Sequence, residues 1–65
     1  MNHLKQYDVF ELATDINPVI KKGMKGVILE ILKPGVFEVE FLKADSTNFE
    51  YDGKFTFTLS IQDIQ

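Results

Sequence analysis

The sequence predicts an all-β protein, a small antiparallel barrel of about five strands with one short 3-10 turn near the C-terminus. Two segments, VFEVEF at 36–41 and KFTFTLS at 54–60, alternate apolar and polar residues with the period of a half-buried strand. Turn-forming dipeptides separate the predicted strands, and no window has a persuasive helical period. Residues 1–65 make one domain, and so short a chain cannot cover the second face of a flat sheet.

The first two predicted strands are the less regular ones. DVFEL at 8–12 alternates weakly, with Phe10 and Leu12 on the expected core face. GVILEIL at 26–32 is apolar on both sides apart from Glu30. This pattern indicates a strand that is either covered on both faces or bulged in its middle.

The last two predicted strands supply most of the expected core. Their alternation directs one set of side chains inward: Phe37, Val39, Phe41, Phe55, Phe57 and Leu59. Combined with the earlier strands, it predicts a core of Phe10, Leu12, Ile28, Val39, Phe41, Phe57 and Leu59.

Dipeptides with proline and glycine mark the predicted turns. Pro34-Gly35 between two strand patterns is typical of a tight turn, because proline presets φ and glycine accepts positive φ. Asp52-Gly53 predicts a two-residue type I′ hairpin between NFEY and KFTF, preceded by the polar loop DSTN at 45–48.

The C-terminal segment carries a helix-start pattern. Ser60 precedes Asp63 by three residues, as in a capping box, and Ile61 and Ile64 have the same spacing. We therefore expect one short 3-10 turn, followed by a brief final strand pairing.

Composition excludes several classes of function. Seven lysines and no arginine stand against ten acidic residues, a net charge of −3, which argues against nucleic acid as a partner. No cysteine is present, so disulfides and thiolate chemistry are excluded. The N-terminal MNHLKQYDVF lacks a signal-peptide core, and no stretch approaches the roughly 20 apolar residues of a membrane span. We expect a complete, cytoplasmic protein that is a monomer or a weak oligomer.

The order YDVFEL, IKKGMKGVILEI, GVFEVEF and FTLSIQDI resembles a family of very short bacterial proteins known only as a domain of unknown function. In outline it is similar to SH3-like barrels, including the KOW motif of ribosomal and transcription proteins. The resemblance covers roughly residues 7 to 64 and implies a stand-alone SH3-like barrel, encoded in some cases beside toxin-like or accessory genes. The longer KADSTNFEYDGKF segment departs from the family pattern.

The loop KKGMKG at 21–26 has two interpretations. Gly-x-x-Gly loops clamp the nucleic-acid backbone in certain RNA-binding modules, which would make the neighbouring lysines phosphate ligands. We favour a structural role, in which Gly23 supplies a positive φ and Gly26 permits a bulge or a close approach between strands. The alternative nucleic-acid site would comprise Lys21, Lys22, Lys25 and Lys33.

No group of residues predicts catalysis, a cofactor or a metal. Glu38 and Glu40 lie about 6.6 Å apart by strand rise, within the range of paired catalytic carboxylates, but nothing nearby would bury them. His3 has no clustered partner, and Ser60 has no base. We expect no enzymatic activity.

Three functions remain open. The favoured one is a protein-binding module, antitoxin-like or immunity-like, that presents an acidic and aromatic surface to a basic protein. The others are a KOW-like module associated with RNA or DNA and a structural subunit of a larger complex. Tyr7, Phe49 and Tyr51 either anchor a partner or pack over the open end of the barrel. The predicted partner-binding residues are Glu38, Glu40, Phe49, Glu50, Tyr51 and Asp52.

Overall fold

Four antiparallel strands form one sheet in the computed structural model of this chain, which describes residues 4 to 64. The strands are β1 (Val9–Glu11), β2 (Lys25–Lys33), β3 (Val36–Phe41) and β4 (Thr56–Ser60), and they lie side by side in chain order. A single 3-10 turn, Ile61–Asp63, follows β4. The all-β class, the antiparallel pairing and the C-terminal 3-10 turn are confirmed.

The described residues contain four strands, whereas about five were predicted. The expected final pairing is present as one isolated antiparallel bridge between Leu12 and Ile64, just beyond the end of β1. The Ala13 amide also donates to the Asp63 carbonyl at 2.8 Å. Closure of the sheet into a barrel stays a prediction.

The core lies on one face of the sheet, where β3 alternates strictly between buried and half-buried residues. Phe41 is fully buried at its centre, with its ring centroid 5.6 Å from that of Phe10 in an edge-to-face arrangement and 5.9 Å from that of Phe57. The buried side chains are Phe10, Leu12, Ile20, Ile28, Phe37, Val39, Phe41, Leu59 and Ile64. Six of the seven predicted core residues are therefore buried, and Phe57 is half-buried against them.

Strand β2 is bulged, as one of the two interpretations of GVILEIL expected. The register to β3 shifts between Ile28 and Glu30 and again between Ile31 and Lys33. Each extra residue turns the strand, so its second half leaves the core. Ile31 and Leu32 are 43% and 47% exposed, and the interpretation that both faces are covered is wrong there.

Phe55 was predicted to point inward and is 53% exposed instead. The Phe49 amide donates to the Phe41 carbonyl at 2.8 Å, and Leu42 bridges to Asn48. Because this hairpin occupies the end of β3, pairing with β4 begins only at Thr56. Phe55 therefore precedes the paired strand, and its strand-like pattern does not determine its direction.

Two core residues, Ile20 and Ile64, were not predicted. Asn17 Oδ1 accepts from the amides of Val19 and Ile20, both at 2.8 Å, and this turn directs Ile20 into the core. An asparagine before a proline, as in Asn17-Pro18, is a turn signal that would have identified this segment.

The predicted turns are present. Asp52 and Gly53 have φ of 53° and 77°, as a type I′ turn requires, and Tyr51 and Lys54 exchange two backbone hydrogen bonds of 3.0 Å across it. Among the described residues, NFEY and KFTF pair with each other only through this bridge; NFEY is not a strand, whereas Thr56 and Phe57 of KFTF begin β4 and pair with β3. Gly35 also takes the predicted positive φ, at 80°.

The capping box at the C-terminal turn is confirmed as well. The Ser60 amide donates to Asp63 Oδ2 at 3.0 Å, and the Ser60 hydroxyl donates to the same oxygen at 3.2 Å. His3, which was considered as a metal ligand, lies outside the described residues.

Candidate functional site

Residues 21 to 24 of the loop KKGMKG do not offer free backbone donors to a phosphate. Each backbone N–H from residue 21 to residue 24 already donates a hydrogen bond within the chain. Their acceptors, in order, are Met24 Sδ, Asp15 Oδ1, the Leu12 carbonyl and the Lys21 carbonyl, at 3.1, 2.8, 3.0 and 3.1 Å. A phosphate-binding loop aims such donors at its ligand, and here an internal carboxylate takes one of them.

The glycines of this loop have the structural roles that were favoured. Gly23 has a φ of 91°, which few other residues adopt readily. At Gly26, a Cβ would lie 2.7 Å from the Glu40 carbonyl oxygen and 2.7 Å from Phe10 Cζ. Gly26 thus lets β2 and β3 pack closely against the Phe10 ring.

The four lysines of the alternative nucleic-acid site do not form one patch. Lys21 Nζ lies 3.5 Å from Asp15 Oδ2, and Lys25 pairs across the sheet with Glu11. Lys33 ends β2, eight residues beyond Lys25, with both bulges of the strand between them. Two of the four therefore face carboxylates, and Lys33 lies at the opposite end of β2 from Lys25.

The Asp15 carboxylate contacts this loop at the Lys22 amide and the Lys21 ammonium, and its pKa is lowered. Its pKa lies below the ordinary 3.8, first because the Lys22 amide donates to the carboxylate and then because the Lys21 ammonium attracts it, while partial desolvation opposes both. A lowered folded-state pKa means that the carboxylate stabilises the fold above its unfolded pKa. That stabilisation disappears as pH falls through the folded-state pKa.

We therefore expect Asp15→Asn to reduce stability at pH 7 and to approach the wild type as pH falls below 3.8. NMR titration of the Asp15 carboxyl should give a midpoint below 3.8, raised part-way by Lys21→Ala. Lys22→Ala is the matched comparison: it keeps the backbone amide that donates to Asp15 and removes only the Lys22 charge, the smallest of the causes, so it should raise the midpoint less than Lys21→Ala does. A wild-type midpoint at or above 3.8 would contradict this assignment.

Glu38 and Glu40 lie on the outer face of β3, as predicted, and both are half-buried. Glu38 accepts from the hydroxyls of Thr56 and Thr58, each at 2.7 Å, through its two different oxygens. Glu40 Oε1 accepts from Asn48 Nδ2 at 3.1 Å. These donors are neutral, and neither glutamate belongs to an ion pair among the described residues, so both negative charges remain uncompensated.

The three aromatic residues Tyr7, Phe49 and Tyr51 were expected either to anchor a partner or to pack over the barrel end, and they differ in exposure. Phe49 packs against the core, and the Lys43 ammonium lies 5.5 Å from its ring centroid. Tyr51 and Tyr7 are 37% and 69% exposed, so their rings are accessible to a partner. In the turn next to Tyr51, Glu50 Oε2 accepts a hydrogen bond from the Gly53 amide.

A groove of about 520 Å³ is lined by the first three residues of β4, by the two residues before them, and by Ile16 and Glu38. It brings Glu38 together with residues that the sequence did not suggest, among them the exposed Phe55 ring. The lining residues are Ile16, Glu38, Lys54, Phe55, Thr56, Phe57 and Thr58. Phe55 follows the Asp52-Gly53 turn directly, and this position was the only signal for its exposure.

Of the six predicted partner-binding residues, only Glu38 lines this groove. Glu40 accepts a hydrogen bond from Asn48, the residue before Phe49. Residues 50 to 52 belong to the adjoining turn, in which Glu50 accepts from the Gly53 amide. The six residues therefore lie on β3 and in the segment from residue 49 to residue 52, and their role in binding a partner stays a prediction.

Comparison with known proteins finds no matching family model, no similar curated protein and no similar solved structure. The resemblance to the short bacterial family stays a prediction. Within residues 4 to 64, no three His, Cys, Asp or Glu side chains are grouped so that they could hold a metal ion. The described part of the chain also contains no helix with the length and apolar character needed to cross a membrane.

Proposed function

We propose that this protein is a small protein-binding module that presents an acidic and aromatic surface to a basic protein. The observation that carries the proposal is the Glu38 carboxylate, which two threonine hydroxyls hold on the outer face without a cationic partner in the described residues. The surface comprises Glu38, Glu40, Phe49, Glu50, Tyr51 and Asp52.

The charge distribution supports this choice of partner. Six of the ten acidic residues follow residue 34, whereas four of the seven lysines lie between residues 20 and 33. Unpaired carboxylates accelerate encounter with a basic protein, and an exposed tyrosine supplies contact area at low cost in side-chain entropy. An antitoxin or immunity protein acts in this way, and the proposed setting is the cytoplasm.

We further propose that the sheet closes into an SH3-like barrel, with Ile64 as the remnant of a fifth strand. The bridge from Ile64 to Leu12 supports this closure, because it joins the C-terminal segment to the continuation of β1. The barrel would leave the outer face of β3 and the 49–53 hairpin on the surface.

Binding to a basic protein should depend on the two glutamates and on Tyr51. We expect Glu38→Lys/Glu40→Lys to slow association, and wild-type association to slow as salt rises through about 0.15 M. Tyr51→Ala should increase dissociation, because it removes an aromatic anchor. The measurement is surface plasmon resonance with the partner captured from the native cell, and circular dichroism checks the fold of each variant.

Single-stranded RNA at low salt is the control ligand for this proposal. Micromolar RNA binding that is lost in Lys22→Ala/Lys25→Ala, with no effect of the acidic variants on any protein partner, would favour the basic loop instead. The hydrogen-bonded amides of residues 21 to 24 are the reason that we expect no such binding.

A further inference from the structure

Strand β4 is the last strand of the sheet, and only β3 pairs with it among the described residues. An edge strand of this kind presents a row of unpaired backbone donors and acceptors. Residues of this edge strand, Thr56 to Thr58, also line the groove of about 520 Å³.

The register identifies which backbone groups face outward. The Ile61 amide donates to the Gly35 carbonyl at 2.8 Å, in the same register that pairs Phe37 with Leu59 and Val39 with Phe57. Hydrogen-bonded and non-hydrogen-bonded pairs alternate in an antiparallel ladder. Phe57 and Leu59 therefore bond to β3, and the amides and carbonyls of Thr56 and Thr58 face the groove.

At the C-terminal end of this edge, a side chain already occupies the outward-facing backbone donor. By the same alternation the Ser60 amide faces outward, and it donates to Asp63 Oδ2 at 3.0 Å. No corresponding side chain covers Thr56 or Thr58 in the described residues. The open part of the edge is therefore the two-threonine stretch that lines the groove.

The two sides of this open edge differ in chemistry. Ile16 and Phe57 pack against the core, and together with the half-exposed ring of Phe55 they form the apolar wall of the groove. On the outer side, the Glu38 carboxylate leans over β4, because both of its oxygens accept from threonine hydroxyls at 2.7 Å. A carboxylate has about four acceptor sites, so Glu38 retains capacity for a cation.

We propose that the edge of β4 is a strand-addition site for an extended segment in which basic and apolar residues alternate. Side chains of an added strand point alternately to the two faces of the sheet. A lysine or arginine would thus reach Glu38, while its neighbours enter the apolar wall beside Phe55. Lys54 also lines the groove, and its positive charge would repel a basic residue of the added strand. We therefore place that basic residue beside Thr56 and Thr58.

This inference rests on the proposed function, since it assigns the basic partner a backbone conformation and a docking strand. Backbone hydrogen bonds would provide affinity, and the alternating pockets would provide specificity. The positive charge of the segment complements both Glu38 and the net charge of −3 on the chain.

The probe is a blocked peptide of seven residues in which lysine and valine alternate, titrated into the full chain and followed by amide NMR. We expect saturable binding, with exchange of the Thr56 and Thr58 amides slowed about tenfold or more at saturation. Glu38→Gln should weaken binding about tenfold, as expected from the loss of one charge-assisted hydrogen bond. Glu11→Gln, the matched change on the exposed face of β1 at the opposite edge of the sheet, should have less than about a twofold effect.

Two N-methylated forms of the peptide test the backbone pairing without altering the protein. Alternate amides of a strand point to the same side, so methylation of all lysine amides and of all valine amides affects opposite edges of the peptide. One methylated peptide should bind like the parent, and the other should lose binding. Equal affinities of the two would overturn strand addition, and so would saturable binding that leaves Thr56 and Thr58 exchange unchanged.

Two further outcomes separate this inference from the proposed function. If the methylated peptides bind equally while Glu38→Lys/Glu40→Lys still weakens the native partner, strand addition is wrong and the acidic surface stands. If the edge binds the peptide but the acidic variants leave every protein partner unaffected, the proposed function is wrong and the edge site stands. A dimer of the free protein in sedimentation velocity that the peptide dissociates would overturn the proposal, because a second copy would occupy β4.

Discussion

Phe41→Ala is expected to unfold most of the protein at 25 °C. Truncation of a buried phenylalanine costs about 3 to 5 kcal/mol through lost burial and the cavity left behind. A core of this size rarely supplies more than about 3 to 5 kcal/mol of net stability. Phe41 is fully buried and its ring contacts those of Phe10 and Phe57, so the cavity would lie at the centre of the core. Urea denaturation followed by circular dichroism measures the loss.

Phe55→Ala is the matched control, because it deletes the same atoms from a side chain that is 53% exposed. We expect its free energy of unfolding to stay within about 1 kcal/mol of the wild type. The alternation pattern predicts that both rings point inward, and therefore that both variants lose similar stability. The structure predicts a large loss for Phe41→Ala alone. A Phe41→Ala protein that melts within a few degrees of the wild type would place the core on the other face.

Gly26→Val is the second variant expected to prevent folding. A Cβ at this position would lie 2.7 Å from the Glu40 carbonyl oxygen, 2.7 Å from Phe10 Cζ and 2.9 Å from Phe41 Cδ1. A backbone oxygen cannot rotate away as a side chain can, so β2 and β3 would have to separate. Overpacking of a core typically costs about 1 to 3 kcal/mol, and we expect the upper end or more here. Gly26→Ala should show a smaller effect of the same sign in thermal denaturation.

Gly23→Ala distinguishes backbone conformation from steric contact. Nothing lies within 4 Å of a Cβ at Gly23, so only its φ of 91° opposes a side chain. We expect a loss of about 1 to 2 kcal/mol, less than for Gly26→Val. Lys22→Ala and Lys25→Ala remove exposed side chains and should leave stability nearly unchanged. Equal tolerance of all these changes would remove the case for a structural turn and would restore the phosphate-binding interpretation.

Local pattern was sufficient where neighbouring residues alone determine conformation. The Asp52-Gly53 turn, the positive φ of Gly23 and Gly35, and the Ser60–Asp63 capping box are all present. Each depends on backbone conformations or hydrogen bonds within a few residues, which side-chain identity controls directly. The buried face of β3 was predictable for a similar reason, since the strand period of two leaves only one apolar face.

Pattern was insufficient where the position of a distant segment decides the outcome. Phe55 continues the alternation of β4, yet a hairpin already pairs with the end of β3 through the Phe49 amide. Ile20 lies in a loop without periodicity and is fully buried, because the Asn17 turn brings it back over the sheet.

The candidate site also has features that local sequence predicted and others that depend on distant segments. Outward-facing Glu38 and Glu40 were predictable from strand period, whereas the exposure of Tyr51 was one of two open alternatives. That Phe49 would pack against the core was one of two open alternatives. The groove was not predictable, because Ile16 and Glu38 reach it from segments more than 20 residues apart.

The sequence by itself determined the all-β class, the turns, most of the core and the acidic character of the surface, since these depend on local periodicity and composition. The tertiary structure alone decided that four strands pair in the order β1-β2-β3-β4, that β4 is left as an edge and that Glu38 leans over it. Strand pairing is a contact between distant residues, and its register depends on which segments compete for the same backbone groups. A local sequence pattern does not show which distant segments compete for the same backbone groups.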